Sequence, residues 1–151
     1  MNEIIIFCAA YLIYIACIYV FLRIVLLHKK EDRITNLLAV FASAVASWTL
    51  GHFLKDLFAH ARPDLTVALI VPIDPYSFPS GHSSFMFALA FAMYLLDKHA
   101  GKIILVLATA VGIARVLAGV HYWYDIVGGM ALGAFVAYVI VRVIKNFRRQ
   151  E

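Results

Sequence analysis

Five apolar stretches, at approximately 4–27, 34–58, 83–96, 103–120 and 124–144, leave this chain little choice of fold. A membrane-spanning helix needs about 20 mainly apolar residues, and it satisfies its own backbone N–H and C=O groups. The first, second and fifth stretches meet that length. The fourth meets it as well, although Arg115 interrupts it. The third is short unless its helix begins near Pro79 and ends near Lys98. Hydrophobic residues make up 64% of the chain, against about 45–50% in a soluble domain. The expectation is therefore all-α: one polytopic membrane helical bundle with about five transmembrane helices, a single domain over residues 1–151. The start, Met1-Asn2-Glu3, lacks the positive region of a signal peptide, and the apolar run behind it is too long for a signal core. It reads as a retained membrane helix.

The formal net charge of +4 could point to nucleic acid or to a membrane, and the placement of the charges decides. His28-Lys29-Lys30-Glu31-Asp32-Arg33 joins the first two helices. Asp97-Lys98-His99-Ala100-Gly101-Lys102 joins the third and fourth, and Arg142, Lys145, Arg148 and Arg149 crowd the C-terminus. With Arg23, ten of the thirteen Lys and Arg residues fall on one side of the bundle. Basic residues gather on the cytoplasmic side, so the N-terminus is expected outside and the C-terminus in the cytoplasm. The basic balance is a topology signal, and no nucleic-acid partner is expected. The other three cations, Lys55, Arg62 and Arg115, fall toward the outer face with Ser80, His82, His121 and Asp125.

Those residues form three clusters. In Pro79-Ser80-Gly81-His82, a helix start offers free N–H groups to an anion, glycine permits close approach, and Ser80 adds a hydroxyl. An ordinary Ser80 N-cap explains the same residues. Lys55 and Arg62 are seven residues apart and share a helix face if the second helix runs on. Either they grip a phosphate, Arg62 in bidentate fashion, or they snorkel to the interface. Arg115 inside an apolar helix needs a partner or a water-filled cavity. His121 and Asp125 lie one helical turn apart, so the carboxylate can fix one ring nitrogen and free the other. Tyr122, Trp123 and Tyr124 between them read as an interfacial aromatic belt.

Other features point elsewhere. Cys8 and Cys17 have no metal-ligand spacing and read as apolar packing residues. His52 and His60 match no metal motif with His82 and His121, so no metal and no cofactor are expected. Asp56, Asp64 and Asp74 read as caps, turn residues or loop charges. The apolar run Leu65 to Val71 either rests on the membrane surface or packs on the bundle. Gly129 and Gly133 form a small-xxx-small pair, suited to close helix contact within the bundle or to a homo-oligomer through that face.

Together the three clusters resemble the type 2 phosphatidic acid phosphatase family, a membrane branch of the superfamily that includes vanadium haloperoxidases. Lys55, Arg62 and Pro63 match its first motif, Pro79 to His82 its second, and Arg115, His121 and Asp125 its third. Ala114 stands where the family often has Ser, so one supporting hydroxyl is expected to be missing. Many members have six membrane helices, and this chain has only two before its catalytic region. The resemblance implies that His121 attacks phosphorus to form a phosphohistidine, that Asp125 supports it, and that His82 protonates the leaving group. It assigns Lys55, Arg62, Arg115, Ser80 and N–H groups near Gly81 to the phosphate oxygens, with the cations in place of a metal.

The expected substrate is a lipid phosphate or diphosphate met at the outer face of a bacterial plasma membrane. Undecaprenyl diphosphate comes first, with phosphatidylglycerol phosphate and phosphatidic acid as alternatives. Transfer to an acceptor other than water would use the same nucleophile. A non-catalytic lipid-phosphate binder or transporter subunit would not need both His82 and His121.

Overall fold

The computed structural model describes residues 1–148, so Arg149 of the basic C-terminal group lies outside the described residues. Six α-helices form within that range: α1 (Asn2–Ala10), α2 (Leu12–Leu27), α3 (Arg33–Phe58), α4 (Gly81–Leu96), α5 (Lys98–Leu117) and α6 (Trp123–Arg148). Two 3-10 turns, Lys30–Asp32 and Leu65–Val67, lie in the connections. Among the described residues the only β pairing is an isolated antiparallel bridge between Ala61 and Tyr76. The architecture is all-helical, as the apolar pattern requires.

Three helices, α3, α5 and α6, are long and apolar enough to cross a membrane. The first apolar stretch is a bent pair instead of one rod: α1 and α2 meet at 46° around Tyr11, and together they supply a fourth candidate span. The third stretch forms α4 with only 16 residues, about 24 Å at 1.5 Å per residue. That is shorter than a hydrocarbon core of roughly 30 Å. Packing explains how a short helix serves here. α4 lies against α3, α5 and α6, and Met86, Ala88, Leu89, Ala90, Ala92 and Met93 are wholly buried. Protein surrounds the middle and the N-terminal end of α4, where Gly81, Ser83 and Ser84 are buried, so its polar start can sit within the bundle.

The α4–α6 seam depends on absent side chains. A Cβ on Gly129 would lie 2.8 Å from Ser83 Cβ and 2.9 Å from the Ser80 carbonyl oxygen. One on Gly133 would lie 2.7 Å from the Ala88 backbone nitrogen. Of the two expectations for Gly129 and Gly133, the structure shows the close contact within the bundle: α4 of the same chain packs on that face.

The two ends of the bundle differ in chemistry. At one end Arg23 pairs with Asp97 at 2.8 Å, Arg148 pairs with Asp32, and Lys145 donates to the Leu95 carbonyl. Asp97 also caps α5 by accepting from the His99 and Ala100 N–H groups. Burial pushes the Asp97 carboxyl up, but the Ala100 N–H and Arg23 outweigh it and hold the group below the usual carboxylate range. The opposite end carries Lys55, Arg62, Arg115, His82, His121 and Asp125.

Candidate active site

Three chain segments converge on one cavity of about 480 Å³. Its walls include Trp48, His52 and Lys55 from α3, Gly81 and His82 from α4, and Arg115 from α5. Arg62, Asp74 and His121 enter from loops. Seven of the eight expected site residues either line this cavity or directly support a residue that does; Ser80 is the exception.

The third cluster forms the floor. The α5 helix ends at Leu117, and Gly119 takes a left-handed φ of 76° that turns the chain back toward α6. His121 thereby sits in the turn, ahead of α6, with Asp125 in the first turn of that helix. His121 Nδ1 is 3.2 Å from Asp125 Oδ2, and the same oxygen accepts the Tyr122 N–H at 2.8 Å. An ionised carboxylate only accepts, so Nδ1 carries the proton and Nε2 keeps its lone pair. Nε2 is turned toward Arg62, whose Nη1 lies 3.4 Å away. Asp125 is fully buried behind the ring. Burial pulls the His121 pKa down to about 4, against the opposing Asp125 hydrogen bond, and the charges of Arg115, Arg62 and Lys55 add to the fall. The imidazole is therefore neutral at physiological pH.

The second cluster forms a helix start with a different division of labour from the one expected. Ser80 is the N-cap of α4: its Oγ accepts the Ser83 N–H at 3.4 Å and its carbonyl accepts the Ser84 N–H at 2.8 Å. It is wholly buried and does not line the cavity. The structure therefore puts Ser80 in the cap, behind the Gly81 and His82 that line the cavity. The Ser80 N–H donates to the Asp125 carbonyl at 3.1 Å, which ties the start of α4 to the start of α6. Pro79 precedes the cap and is not in the first helical turn.

The first cluster also departs from its expected geometry. α3 does not run on to Arg62: Ala59 adopts φ 46°, a left-handed conformation that ends the helix. Lys55 and Arg62 nevertheless converge, because the loop brings Arg62 back and Asp74 holds both. Asp74 Oδ1 is 2.8 Å from Lys55 Nζ and 2.6 Å from Arg62 Nη2. Lys55 also donates to the Tyr76 carbonyl, and Arg62 to the Asp74 and Val120 carbonyls. Burial raises the Asp74 pKa, but Lys55 and Arg62 outweigh it and hold the carboxyl below its usual range. Asp74 is the residue that the sequence reading missed. Its spacing carries no motif, and only folding brings it between two cations. Asp64 meets its expectation as a cap, accepting from the Thr66 N–H.

Arg115 is the contrast. It is buried, it lines the cavity, and its Nε makes no hydrogen bond among the described residues. Asp125 Oδ1 and Ser83 Oγ are likewise buried without a partner there. Ala114 packs with Ala9, Ala118 and Val120, alongside Ala68, Leu69 and Ile70 from the loop. It does not line the cavity. Part of the apolar loop run thus packs on the bundle, while Val67 and Val71 remain exposed. Tyr122, Trp123 and Tyr124 are exposed at the rim, as a belt would be. A second, apolar groove of about 300 Å³, lined by Ile13, Tyr14, Cys17, Trp48 and Phe85, shares His82 with the polar cavity.

The chain is similar to several known proteins. A Bacillus licheniformis protein called bacitracin transport permease protein BcrC is 31% identical over 144 residues, which is 93% of this chain and 70% of that protein. An undecaprenyl-diphosphatase of Sulfolobus acidocaldarius is 28% identical over 125 residues, 80% of this chain and 60% of that one. The crystal structure of a transmembrane PAP2 type phosphatidylglycerolphosphate phosphatase from Bacillus subtilis is similar with a TM-score of 0.66 and 27% identity. That likeness covers 99% of this chain and 77% of the other. The chain thus spans between 60% and 77% of the lengths of these three proteins. The family model described as the PAP2 superfamily matches residues 34–149, and the chain belongs to that superfamily.

Proposed function

We propose that this chain is a membrane lipid phosphatase that hydrolyses a lipid phosphate or diphosphate without a metal. One observation carries the reading: a buried, neutral imidazole, braced by Asp125, presents Nε2 to a cavity that three cations line. His121 Nε2 attacks phosphorus in line with the leaving oxygen. The P–O ester or anhydride bond breaks as the P–N bond forms, and His82 supplies the proton to the departing oxygen. Water then attacks the phosphohistidine, with His82 as base, and inorganic phosphate leaves. Arg115, Lys55, Arg62 and the Gly81 N–H carry the charge on the equatorial oxygens, as phosphoryl transfer requires. Ser80 contributes through the helix start that aims Gly81 and His82.

The apolar groove that shares His82 suits a lipid chain on the leaving group. Undecaprenyl diphosphate is the first substrate to test, supported by the likeness to the Sulfolobus acidocaldarius undecaprenyl-diphosphatase. Phosphatidylglycerol phosphate follows, supported by the likeness to the Bacillus subtilis phosphatidylglycerolphosphate phosphatase. The positive-inside distribution supports an active site at the extracytoplasmic face, with α4 counted as a fifth span inside the bundle. The permease name of the Bacillus licheniformis relative suggests a carrier, but a carrier has no use for a nucleophile–carboxylate pair facing the phosphate site.

The test uses purified, detergent-solubilised protein. Phosphate release from undecaprenyl diphosphate should persist in EDTA and vanish in His121→Ala. Full turnover by that variant would overturn the nucleophile. Loss in EDTA with recovery on adding a divalent metal would overturn the metal-free reaction.

A further inference from the structure

Lys55 and Arg62 are not empty in the resting protein. The Asp74 carboxylate lies between them, Lys55 donates further to the Tyr76 carbonyl, and Arg62 donates further to the Asp74 and Val120 carbonyls. A carboxylate and a phosphate offer such a pair the same thing, anionic oxygens at hydrogen-bond distance. Asp74 sits on the cavity wall beside Val71, Pro72 and Ile73. The segment is pinned on either side. Leu69 N–H donates to the Ala118 carbonyl at 3.0 Å, and Ala61 bridges Tyr76. Between those pins Val71 and Ile73 are 94% and 104% exposed, so neither side chain packs on the bundle, although Pro72 between them is half-buried. The polar hold on the bundle there is the Asp74 carboxylate with its two cations, together with its backbone carbonyl on Arg62. The carboxylate's other oxygen faces His52 at 3.9 Å.

We propose that Asp74 is a resident competitor for the phosphate seat: it occupies Lys55 and Arg62 when no substrate is bound, yields to the substrate phosphate, and returns to help expel inorganic phosphate. This rests on the reading that Lys55 and Arg62 hold phosphate. Asp74 is thus a specificity residue, because a bare phosphate must displace it with nothing else to offer. A lipid phosphate adds the burial of its chain, and the chain does not touch Asp74. The residue weakens the grip on the product and guards the site against free phosphate in the surrounding water.

The test is product inhibition of the full-length protein in detergent, with inorganic phosphate as the probe. Asp74→Asn keeps the shape and removes the charge. Its inhibition constant for phosphate should fall by about tenfold or more, and its denaturation midpoint should gain more from added phosphate than the wild type does. If Asp74 merely positioned the two cations, the same variant would bind phosphate less tightly, and that result overturns the proposal, as does no change. A second measurement does not need the Asp74 variant to fold. A nitroxide on Ile73→Cys, with Cys8 and Cys17 replaced by Ser, should become more mobile when phosphate saturates the site. An unchanged spectrum overturns the proposal. Failure of the phosphatase reading looks different: the wild-type protein would then release no phosphate from undecaprenyl diphosphate or phosphatidylglycerol phosphate, whatever the strap does.

Discussion

The two corners of the cationic pocket are built in opposite ways. At the Lys55–Arg62 corner each cation already has an anionic partner and backbone acceptors. At the Arg115 corner a buried guanidinium nitrogen has no partner among the described residues. A buried guanidinium nitrogen without an acceptor costs free energy, and Arg115 lines the cavity, where water or a ligand can supply one. The first corner holds itself together, and the second waits for a ligand. Both corners carry charge for an anion, but only at Arg115 do the described residues leave hydrogen-bonding capacity unmet beforehand.

The largest effect expected from this contrast is on turnover in Arg115→Ala. Removing one preorganised donor costs about 10²–10³ in kcat, roughly 2.7–4 kcal/mol. Stability should not fall with it, because the substitution removes an uncompensated charge and breaks no ion pair. Turnover and denaturation midpoint measured on the same preparation check both parts. A midpoint lowered as much as in Arg62→Ala would erase the difference between the corners.

The next effect reads the charge of the pocket through His121. With its pKa drawn from 6.5 to about 4, the imidazole should stay neutral as pH falls past the ordinary histidine range. Histidine-labelled protein followed by NMR without substrate should show one ring that takes its proton near pH 4. Between those two values the unfolded chain binds a proton that the native chain refuses. Native stability therefore declines as pH drops from about 6.5 to about 4 and gains nothing from this group above that window. If the ring assigned to His121 by its loss in His121→Ala titrates near 6.5 instead, burial and the neighbouring cations do not act on it as described.

A smaller effect belongs to the compensated corner. Arg62→Ala strands the Asp74 carboxylate beside Lys55 alone and removes the donor to the buried Val120 carbonyl. Hydrogen bonds to charged groups contribute about 1.5–3 kcal/mol each, so chemical denaturation should show a loss of at least about that size. Turnover should fall as well. Loss of turnover with no loss of stability would make Arg62 a waiting cation like Arg115.

What the sequence made legible follows the same line. Apolar periodicity and three spaced motifs placed the helices and the pocket, because helix length and residue type are local properties. The break at Tyr11 has no Gly or Pro to announce it. The end of α3 at Ala59 depends on a left-handed residue that is not glycine. Asp74 resembles any loop acid until tertiary structure sets it between Lys55 and Arg62. Ser80 reads equally as a cap or a ligand, and only its burial under Gly81 and His82 separates the two. Gly129 and Gly133 signal close packing correctly, but a spacing pattern cannot say which helix does the packing.

The smallest effect tests a position where motif matching and structure disagree. Ala114 precedes Arg115 where the resemblance expects a hydroxyl that would support the site. Its methyl group instead packs with Ala9, Ala118 and Val120 and does not line the cavity. A serine there would place its hydroxyl among apolar groups, where a bond to the carbonyl one turn back can satisfy it. Ala114→Ser should therefore leave kcat/KM unchanged and shift stability by no more than about 0.5–1 kcal/mol. A several-fold rise in turnover would show that the hydroxyl reaches Arg115 or His121 after all. The uncompensated corner would then be incomplete because of this one substitution, and not because it awaits a phosphate.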